Sequence, residues 1–225
     1  MAAATPKVFL PLGSQPMVVY CLRTLSGLPG LTALVLVVAA DRFDLATRVL
    51  DEYGPWPVPV RVIGGGVERQ DSVAAGLAAT ADDADLVLVH DAARPFVARS
   101  AVEACVAAAA ASGAAIVAEP ARDTVKLADS TSVITRTLDR RTVWLAQTPQ
   151  VFRTSLLRSA YDRARREGFL ATDDAALVER IGAPVCIVEG NATNRKITTP
   201  DDLRWAEWYL REILMHDALP GNAEC

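Results

Sequence analysis

The stretch LVLVHDAARP, residues 86–95, begins as four apolar residues and turns abruptly polar at His90 and Asp91. A run that is apolar at every position predicts a strand buried on both faces, which is typical of a parallel sheet covered by helices. Ligands of such open sheets bind beyond the carboxyl ends of the strands. The sequence therefore predicts a buried strand over 86–90 and a functional edge at Asp91 and Arg94.

Similar apolar runs alternate with helical patterns on both sides of this stretch. Their order predicts a doubly wound, mostly parallel α/β sheet in a single domain spanning residues 1–225. Ser100 and Glu103 have the spacing of a capping box, so we expect Ser100 to cap the helix that follows it. The other predicted strands cover 32–38, 58–63, 114–117 and 185–188, and the predicted helices cover 44–53, 69–80, 101–112 and 201–216.

Residues 123–147 interrupt this rhythm with DTVKLADSTSVITRTLDRRTVWLAQ, in which polar and apolar residues alternate around a polar turn at Asp129 and Ser130. That pattern predicts a β-hairpin rather than a strand–helix–strand unit. Two interpretations stay open for it. The hairpin is either a protruding arm that embraces a second subunit or an ordinary surface hairpin.

Composition excludes several classes of protein. The net charge of −4 provides no basic field for nucleic acid. The longest apolar run, 31–40, is far shorter than the ~20 residues of a membrane span, and we find no signal peptide pattern. We therefore expect a cytoplasmic protein that binds neither nucleic acid nor membrane. Four scattered cysteines without a CxxC pair fit buried thiols in a reducing compartment (Cys21, Cys105, Cys186, Cys225).

The candidate site residues are glycines, a serine and isolated cations. Gly64–Gly65–Gly66 closes a predicted strand, and Ser72 falls in the first turn of the next helix, where backbone amides can approach a ligand. No P-loop, GxSxG or HExxH motif is present, which argues against P-loop hydrolysis and acyl transfer. Phosphoryl or nucleotidyl transfer by fixed cations fits what remains. Those cations are Lys7, Arg94, Arg140, Arg141, Arg195 and Lys196.

Together these pieces resemble one family, the 2-C-methyl-D-erythritol 4-phosphate cytidylyltransferases, from Pro6 to about Tyr209. Each motif alone would be weak, and their order makes the resemblance specific. The matching segments are PKVFLPLG (6–13), GGVERQDSV (65–73), VLVHDAARPF (87–96), ARDTVK (121–126), LDRRTVWLAQTPQ (138–150), TDDAALVE (172–179) and VEGNATNRKITTPDDL (188–203).

The resemblance implies a Rossmann-like nucleotidyltransferase fold and transfer of a cytidylyl group from CTP to a sugar-alcohol phosphate, with Mg²⁺ on the triphosphate. It implies that Lys7 and Lys196 are catalytic and contact CTP. Asp91 would hold ribose or acceptor hydroxyls near the metal and is itself a possible metal ligand. The other implied roles are cytosine recognition by Gly66 and Ser72, acceptor binding by Arg94, Thr148 and Thr172, and contacts from Thr124 and Arg140 of the arm to the partner's site in a homodimer.

The sequence also departs from the family pattern. An apolar strand and an A-A-G-x-G-x-R loop normally precede the Pro–Lys pair, whereas Met1 stands where the residue after that arginine belongs. Loss of such donors costs roughly 10²–10³ in rate, and loss of the strand should leave two unpaired edges beside an apolar slot. We expect the natural start to lie upstream of Met1. Val67 occupies a position where relatives often carry a polar residue.

Two other functions remain open from the sequence. A cytidylyltransferase for ribitol phosphate or another pentitol phosphate would share the arm and the HDAxRP signature, and Ala93 favours methylerythritol phosphate only mildly. The second alternative is a truncated, non-catalytic paralogue that binds nucleotide.

Overall fold

The computed structural model describes residues 6–217, which form an α/β fold of short strands and covering helices. The strands are β1 (Pro11–Leu12), β2 (Gln15–Pro16), β3 (Leu34–Val38), β4 (Val60–Gly64), β5 (Leu86–Val89), β6 (Ala114–Pro120), β7 (Lys126–Ala128), β8 (Ile134–Thr137), β9 (Trp144–Arg153) and β10 (Cys186–Glu189). The helices are α1 (Met17–Ser26), α2 (Phe43–Tyr53), α3 (Arg69–Ala78), α4 (Arg99–Ser112), α5 (Thr154–Glu167), α6 (Asp174–Arg180) and α7 (Pro200–Asp217). None of the helices in this range is both long and apolar enough to span a membrane.

The larger sheet is mixed, which differs from the mostly parallel sheet expected from the sequence. Its strand order is β10-β6-β9-β5. β10 runs parallel to β6, whereas β9 runs antiparallel to both β6 and β5. β9 was not predicted as a strand because it contains Pro149, which lacks the N–H that a central strand needs. The chain accommodates this proline at an irregularity in the pairing between Ile116 and Ala118.

A cleft separates this sheet from the parallel pair β3–β4. Within residues 6–217, β3 pairs only with β4, and β5 pairs only with β9. One edge of β3 and one edge of β5 therefore have no hydrogen-bonded neighbouring strand. A cavity of about 410 Å³ lies between them, lined by Val35 and Val37 of β3, residues 86–89 of β5, and Val73 and Leu77 of α3. The apolar slot beside two unpaired strands, expected from the sequence, is therefore present, and the described strands do not form one continuous doubly wound sheet.

The hairpin predicted over 123–147 is present, and it is exposed along its length. β7 and β8 pair antiparallel, and the carboxylate of Asp129 accepts the N–H groups of Thr131 and Val133 in the turn. Every residue of both strands is exposed to solvent. The apolar side chains Leu127, Val133, Ile134, Trp144 and Leu145 are exposed on this hairpin and its base.

One predicted helix cap is wrong. The N-cap of α4 is Ala98, not Ser100, and it makes no side-chain capping bond. Glu103 instead pairs with Arg99, with 2.7 Å between Arg99 Nε and Glu103 Oε1. An arginine one turn before a glutamate satisfies that carboxylate directly, so the capping box does not form.

Candidate active site

The irregularity in β9 places polar side chains at the end of β5. Gln150 pairs with Val89 in the ladder, while residues 147–149 lie opposite the shifted register of β6. Bulges of this kind redirect side chains and are frequent beside active sites. Here the bulge turns the Thr148 hydroxyl toward the residues that follow β5, and Thr148 Oγ1 accepts the Asp91 N–H at 3.0 Å.

A cavity of about 260 Å³ lies at this edge and gathers residues from five separate sequence motifs. Five of the residues proposed from the sequence line it: Asp91, Arg94, Thr148, Thr172 and Lys196. Residues that the family resemblance assigned to one site therefore lie together, and their roles in binding stay a prediction. Residues that the site prediction omitted also line this cavity, namely Arg69, Ala146, Gln147, Gln150 and Asp173.

Asp91 stands among three cations. Its Oδ2 lies 2.7 Å from Lys196 Nζ and 4.0 Å from Arg94 Nε, and its Oδ1 lies 3.4 Å from Arg69 Nε. Burial opposes ionisation of the carboxyl, but the hydrogen bond and charge of Lys196, aided by the two arginines, outweigh it and lower the pKa of Asp91. The carboxylate is ionised at neutral pH and anchors a patch whose summed charge is positive.

The loop that carries Lys196 is fixed to the rest of the site by its own backbone and by Asn194. Asn194 Nδ2 donates to Thr148 O and to Gln147 Oε1, each at 2.8 Å. One residue beyond Lys196, the Ile197 N–H donates to Ala93 O at 2.8 Å. Lys196 is thus held between two anchors, and its ammonium reaches the cavity.

Arg94 has a donor that the protein leaves unused. One terminal nitrogen of its guanidinium donates to Asn194 O at 2.7 Å, whereas Arg94 Nε is buried and has no hydrogen-bond partner among the described residues. A buried N–H without a partner is unfavourable by roughly 1–3 kcal/mol. Because this side chain lines the cavity, an oxygen of a bound ligand can satisfy it.

A neutral histidine orients the Thr148 hydroxyl. Thr148 Oγ1 lies 3.1 Å from His90 Nδ1, and His90 Nε2 lies 3.1 Å from Arg94 O. Since a carbonyl only accepts, Nε2 carries the hydrogen and Nδ1 accepts from Thr148. Burial lowers the pKa of His90 to about 4, which keeps the ring neutral at neutral pH. His90 therefore acts as a fixed support rather than as a proton donor to a substrate.

The turn before α3 requires glycine at two positions. A Cβ on Gly66 would lie 2.2 Å from Asp71 Cβ, and one on Gly65 would lie 2.5 Å from Ser72 Oγ. The Gly66 N–H donates to Ser72 Oγ at 3.2 Å, so the two predicted nucleotide-binding residues touch each other. Val67 is 95% exposed and points away from this contact.

Sequence reasoning missed the role of Arg69. Its guanidinium donates to Asp174 Oδ2 at 2.8 Å while its Nε faces Asp91. Asp174 is 1% exposed and also accepts the Tyr161 hydroxyl. Burial and the charge of Asp174 raise the pKa of Tyr161 well above its usual range, so this hydroxyl keeps its proton. The ERQDS and TDD motifs supply a cation and a carboxylate that need one another when buried, but no local pattern indicates that these two residues meet.

Comparison with known proteins agrees with this geometry. The family model described as 2-C-methyl-D-erythritol 4-phosphate cytidylyltransferase matches residues 1–212. The chain belongs to this family. One relative, the 2-C-methyl-D-erythritol 4-phosphate cytidylyltransferase of Acidobacterium capsulatum, is 43% identical over 211 residues, which cover 92% of this chain and 88% of that protein. The enzyme of the same name from Pelotomaculum thermopropionicum is 44% identical over 208 residues, covering 92% and 87%.

Solved structures of the cytidylyltransferase family share the fold. The 4-diphosphocytidyl-2C-methyl-D-erythritol synthase of Anaerococcus prevotii superposes with a TM-score of 0.84 at 30% identity, covering 91% of this chain and 93% of the other. The 2-C-methyl-D-erythritol 4-phosphate cytidylyltransferase of Thermus thermophilus has a TM-score of 0.78 at 38% identity, covering 93% and 96%.

Five residues expected to act in this cytidylyltransferase lie outside the lining of the cavity beside Asp91: Gly66 and Ser72 of the turn before α3, and Lys7, Thr124 and Arg140. Lys7 is exposed in a short 3-10 helix (Lys7–Phe9). Phe9 belongs to a hydrophobic cluster, and Ala92, the neighbour of Asp91, packs against the same cluster. Thr124 and Arg140 are exposed on the arm, where Arg140 donates to Arg122 O at 2.7 Å. Their roles at the site remain predictions.

Proposed function

We propose that this chain carries out the reaction for which its family is named, at the cavity that Asp91 and Lys196 line. It transfers the cytidylyl group of CTP to 2-C-methyl-D-erythritol 4-phosphate and releases pyrophosphate, a step of isoprenoid precursor synthesis. The observation that supports this most strongly is the convergence of three cations on a single, partly buried carboxylate (Lys196, Arg94 and Arg69 on Asp91) beside a cavity of about 260 Å³. Such a site suits the joining of two phosphate compounds.

The chemistry needs positioning and charge rather than a strong base. The attacking oxygen belongs to the acceptor phosphate, which is already anionic. It forms a bond to the α-phosphorus of CTP while the bond from that phosphorus to the bridging oxygen of pyrophosphate breaks. Fixed cations stabilise the charge that accumulates around the five-coordinate phosphorus. This assignment agrees with a site whose histidine, His90, is buried and neutral.

The two lysines divide this task. Lys196 contacts the attacked α-phosphate. Its side chain is 41% exposed, so its ammonium can either turn away from Asp91 toward the phosphate or lie between Asp91 and the phosphate and contact both. Lys7 steadies the triphosphate and the transition state. Its exposure in the Lys7–Phe9 segment, whose Phe9 shares a packing cluster with Ala92, supports access to the same edge of the sheet.

Nucleotide and acceptor occupy neighbouring parts of the edge. Gly66 and Ser72 read the cytosine, through the turn that excludes side chains at residues 65 and 66. Asp91 holds ribose or acceptor hydroxyls.

The acceptor part of the site combines a buried donor with two threonines. Arg94 Nε has no hydrogen-bond partner among the described residues and lies 4.0 Å from Asp91 Oδ2, so it can donate to an acceptor oxygen; the Arg94 side chain is only 12% exposed. Thr148 and Thr172 line the same cavity. A buried donor with no protein partner favours a ligand that brings an oxygen acceptor, as a sugar-alcohol phosphate does.

The residues fit a magnesium ion that is bound mainly through CTP phosphates. Within residues 6–217, no cluster of three or more His, Cys, Asp and Glu side chains is suited to hold a metal. Magnesium bound with nucleotides commonly uses one or two carboxylates plus phosphate oxygens. Asp91 is the carboxylate that we place beside it, and the ion supplies neutralisation of the triphosphate charge when bound.

We further propose a homodimer in which the arm of each subunit completes the site of the other. The exposed apolar side chains on the arm and its base favour burial against a second copy (Leu127, Val133, Ile134, Trp144, Leu145). Thr124 and Arg140 lie outside the cavity of their own subunit and would bind the acceptor phosphate in the partner's site.

The test is a turnover assay of the purified chain with CTP, Mg²⁺ and each acceptor in turn. We expect pyrophosphate release with 2-C-methyl-D-erythritol 4-phosphate and a cytidine diphosphate product by mass spectrometry. Turnover of ribitol phosphate alone would contradict the acceptor assignment. CTP binding without release of pyrophosphate from either acceptor would favour the non-catalytic paralogue.

A further inference from the structure

Gln70, in the first turn of α3, clamps the backbone of a distant loop with both ends of its amide. Gln70 Nε2 donates to Phe169 O at 3.0 Å, and Gln70 Oε1 accepts the Ala171 N–H at 2.9 Å. Residues 169–173 have no regular secondary structure. The amide therefore supplies the pair of hydrogen bonds that a neighbouring strand would give this loop.

The far end of the same loop is anchored independently. Gln150 is 1% exposed; its Nε2 donates to Asp173 Oδ2 at 2.8 Å, and its Oε1 accepts the N–H groups of Asp174 and Ala175. Arg69, the sequence neighbour of Gln70, pairs with Asp174. Thr172 lies between the two anchored ends and lines the cavity. Its position therefore depends on Gln70 at one end and on a buried network at the other.

We propose that Gln70 is a positioning residue for the acceptor substrate. By binding the backbone of Phe169 and Ala171, it holds Thr172 in place. The inference rests on the proposed function, in which Thr172 lines the acceptor pocket and Ser72 reads the cytosine. Gln70 is not among the described residues that line the cavity, so it acts through the loop. Because Gln70 and Ser72 share one turn of α3, the clamp also fixes the acceptor loop relative to the nucleotide turn.

The variant Gln70→Met keeps the side-chain length and removes both hydrogen bonds. We expect the KM for the acceptor to rise by about three- to tenfold. This range corresponds to losing part of the net free energy that two hydrogen bonds contribute. The kcat and the KM for CTP should stay within about twofold of wild type, because no contact in the transition state is removed. Thr80→Val is the matched control, since it removes the 2.6 Å bond from Thr80 Oγ1 to Leu77 O just beyond the other end of α3.

Amide hydrogen exchange provides a second measurement that does not depend on turnover. In Gln70→Met the Ala171 amide should exchange faster, while amides in the middle of α6 keep their protection. If wild type turns over and the acceptor KM of Gln70→Met equals that of Thr80→Val, the positioning role is overturned. If wild type itself shows no transfer, the proposed function fails instead, and unchanged exchange at Ala171 would then overturn the clamp separately.

Discussion

Lys196 Nζ lies 2.7 Å from Asp91 Oδ2, so the loop after β10 and the end of β5 meet in one ion pair at the cavity. The pair is half open to solvent on the lysine side and largely buried on the aspartate side. A lysine held this way can turn toward an incoming phosphate, and Arg69 and Arg94 then remain beside Asp91. This relationship links the charge pattern of the site to its proposed chemistry.

Replacing Lys196 should therefore remove most of the activity. We expect Lys196→Gln to lower kcat by roughly 10²–10³, as loss of one transition-state donor does in other enzymes. The control is Arg195→Gln, because Arg195 faces Asp202 at 2.6 Å rather than the cavity. Steady-state kinetics check both variants, and equal losses in the two would show that general loop disruption explains the effect.

The glycine turn gives a second comparison. Gly66→Ala should raise the Kd for CTP by about tenfold or more, because its Cβ would collide with Asp71 and open the contact between Gly66 and Ser72. Gly64→Ala is the matched control, since a Cβ there meets nothing within 4 Å. Nucleotide titration by calorimetry measures this, and equal affinities for the two variants would count against the turn as part of the CTP site.

The shared-site dimer predicts complementation between inactive variants. Mixed and reassembled Lys196→Gln and Arg140→Ala subunits form heterodimers with one intact site, so about a quarter of wild-type activity should return by simple statistics for a two-fold dimer. The measurement is the specific activity after subunit exchange. A mixture no more active than its components would place Arg140 outside the partner's site.

His90 should make stability depend on pH. Its pKa is about 4 in the folded protein and near 6.5 when unfolded, so the unfolded state binds more protons between these values. The stabilisation from the neutral ring is complete above pH 6.5 and is lost as the pH falls to about 4, a change of about 3 kcal/mol.

Urea unfolding across this pH range tests the assignment. His90→Gln can keep both hydrogen bonds, because an amide oxygen accepts from Thr148 and its NH₂ donates to Arg94 O. We expect the free energy of unfolding of this variant to change much less between pH 6.5 and 4. A slope equal to that of wild type would mean that another group titrates.

The strands with uniform apolar character were predictable, and so was the place of Asp91 just beyond the carboxyl end of β5. β5 lies within the predicted run, and Thr148, Thr172 and Lys196, which the family resemblance assigned to one site, line one cavity with Asp91. The local hydrophobic pattern predicts such strands. The rule that ligands bind beyond the carboxyl ends of the strands in an open sheet then indicates Asp91 as a candidate site residue.

β9 and the Arg69–Gln70 pair could not be predicted, for physical reasons. The pattern of β9 is broken by Pro149, and only the partner strands β5 and β6 make an extended conformation favourable there. The contacts of Arg69 and Gln70 join α3 to residues near 170, and no local pattern encodes pairing over that separation. The missing information is tertiary rather than local.

We expect Lys7 and Lys196 to act on one CTP molecule beside Asp91. A crystal structure of the chain with CTP and Mg²⁺ tests it most directly. We expect the α-phosphate to lie within about 3 Å of Lys196 Nζ, Lys7 to contact the same triphosphate, and the cytosine to pack against Gly66 and Ser72. A nucleotide bound elsewhere, or a triphosphate that only one of the two lysines reaches, would contradict it.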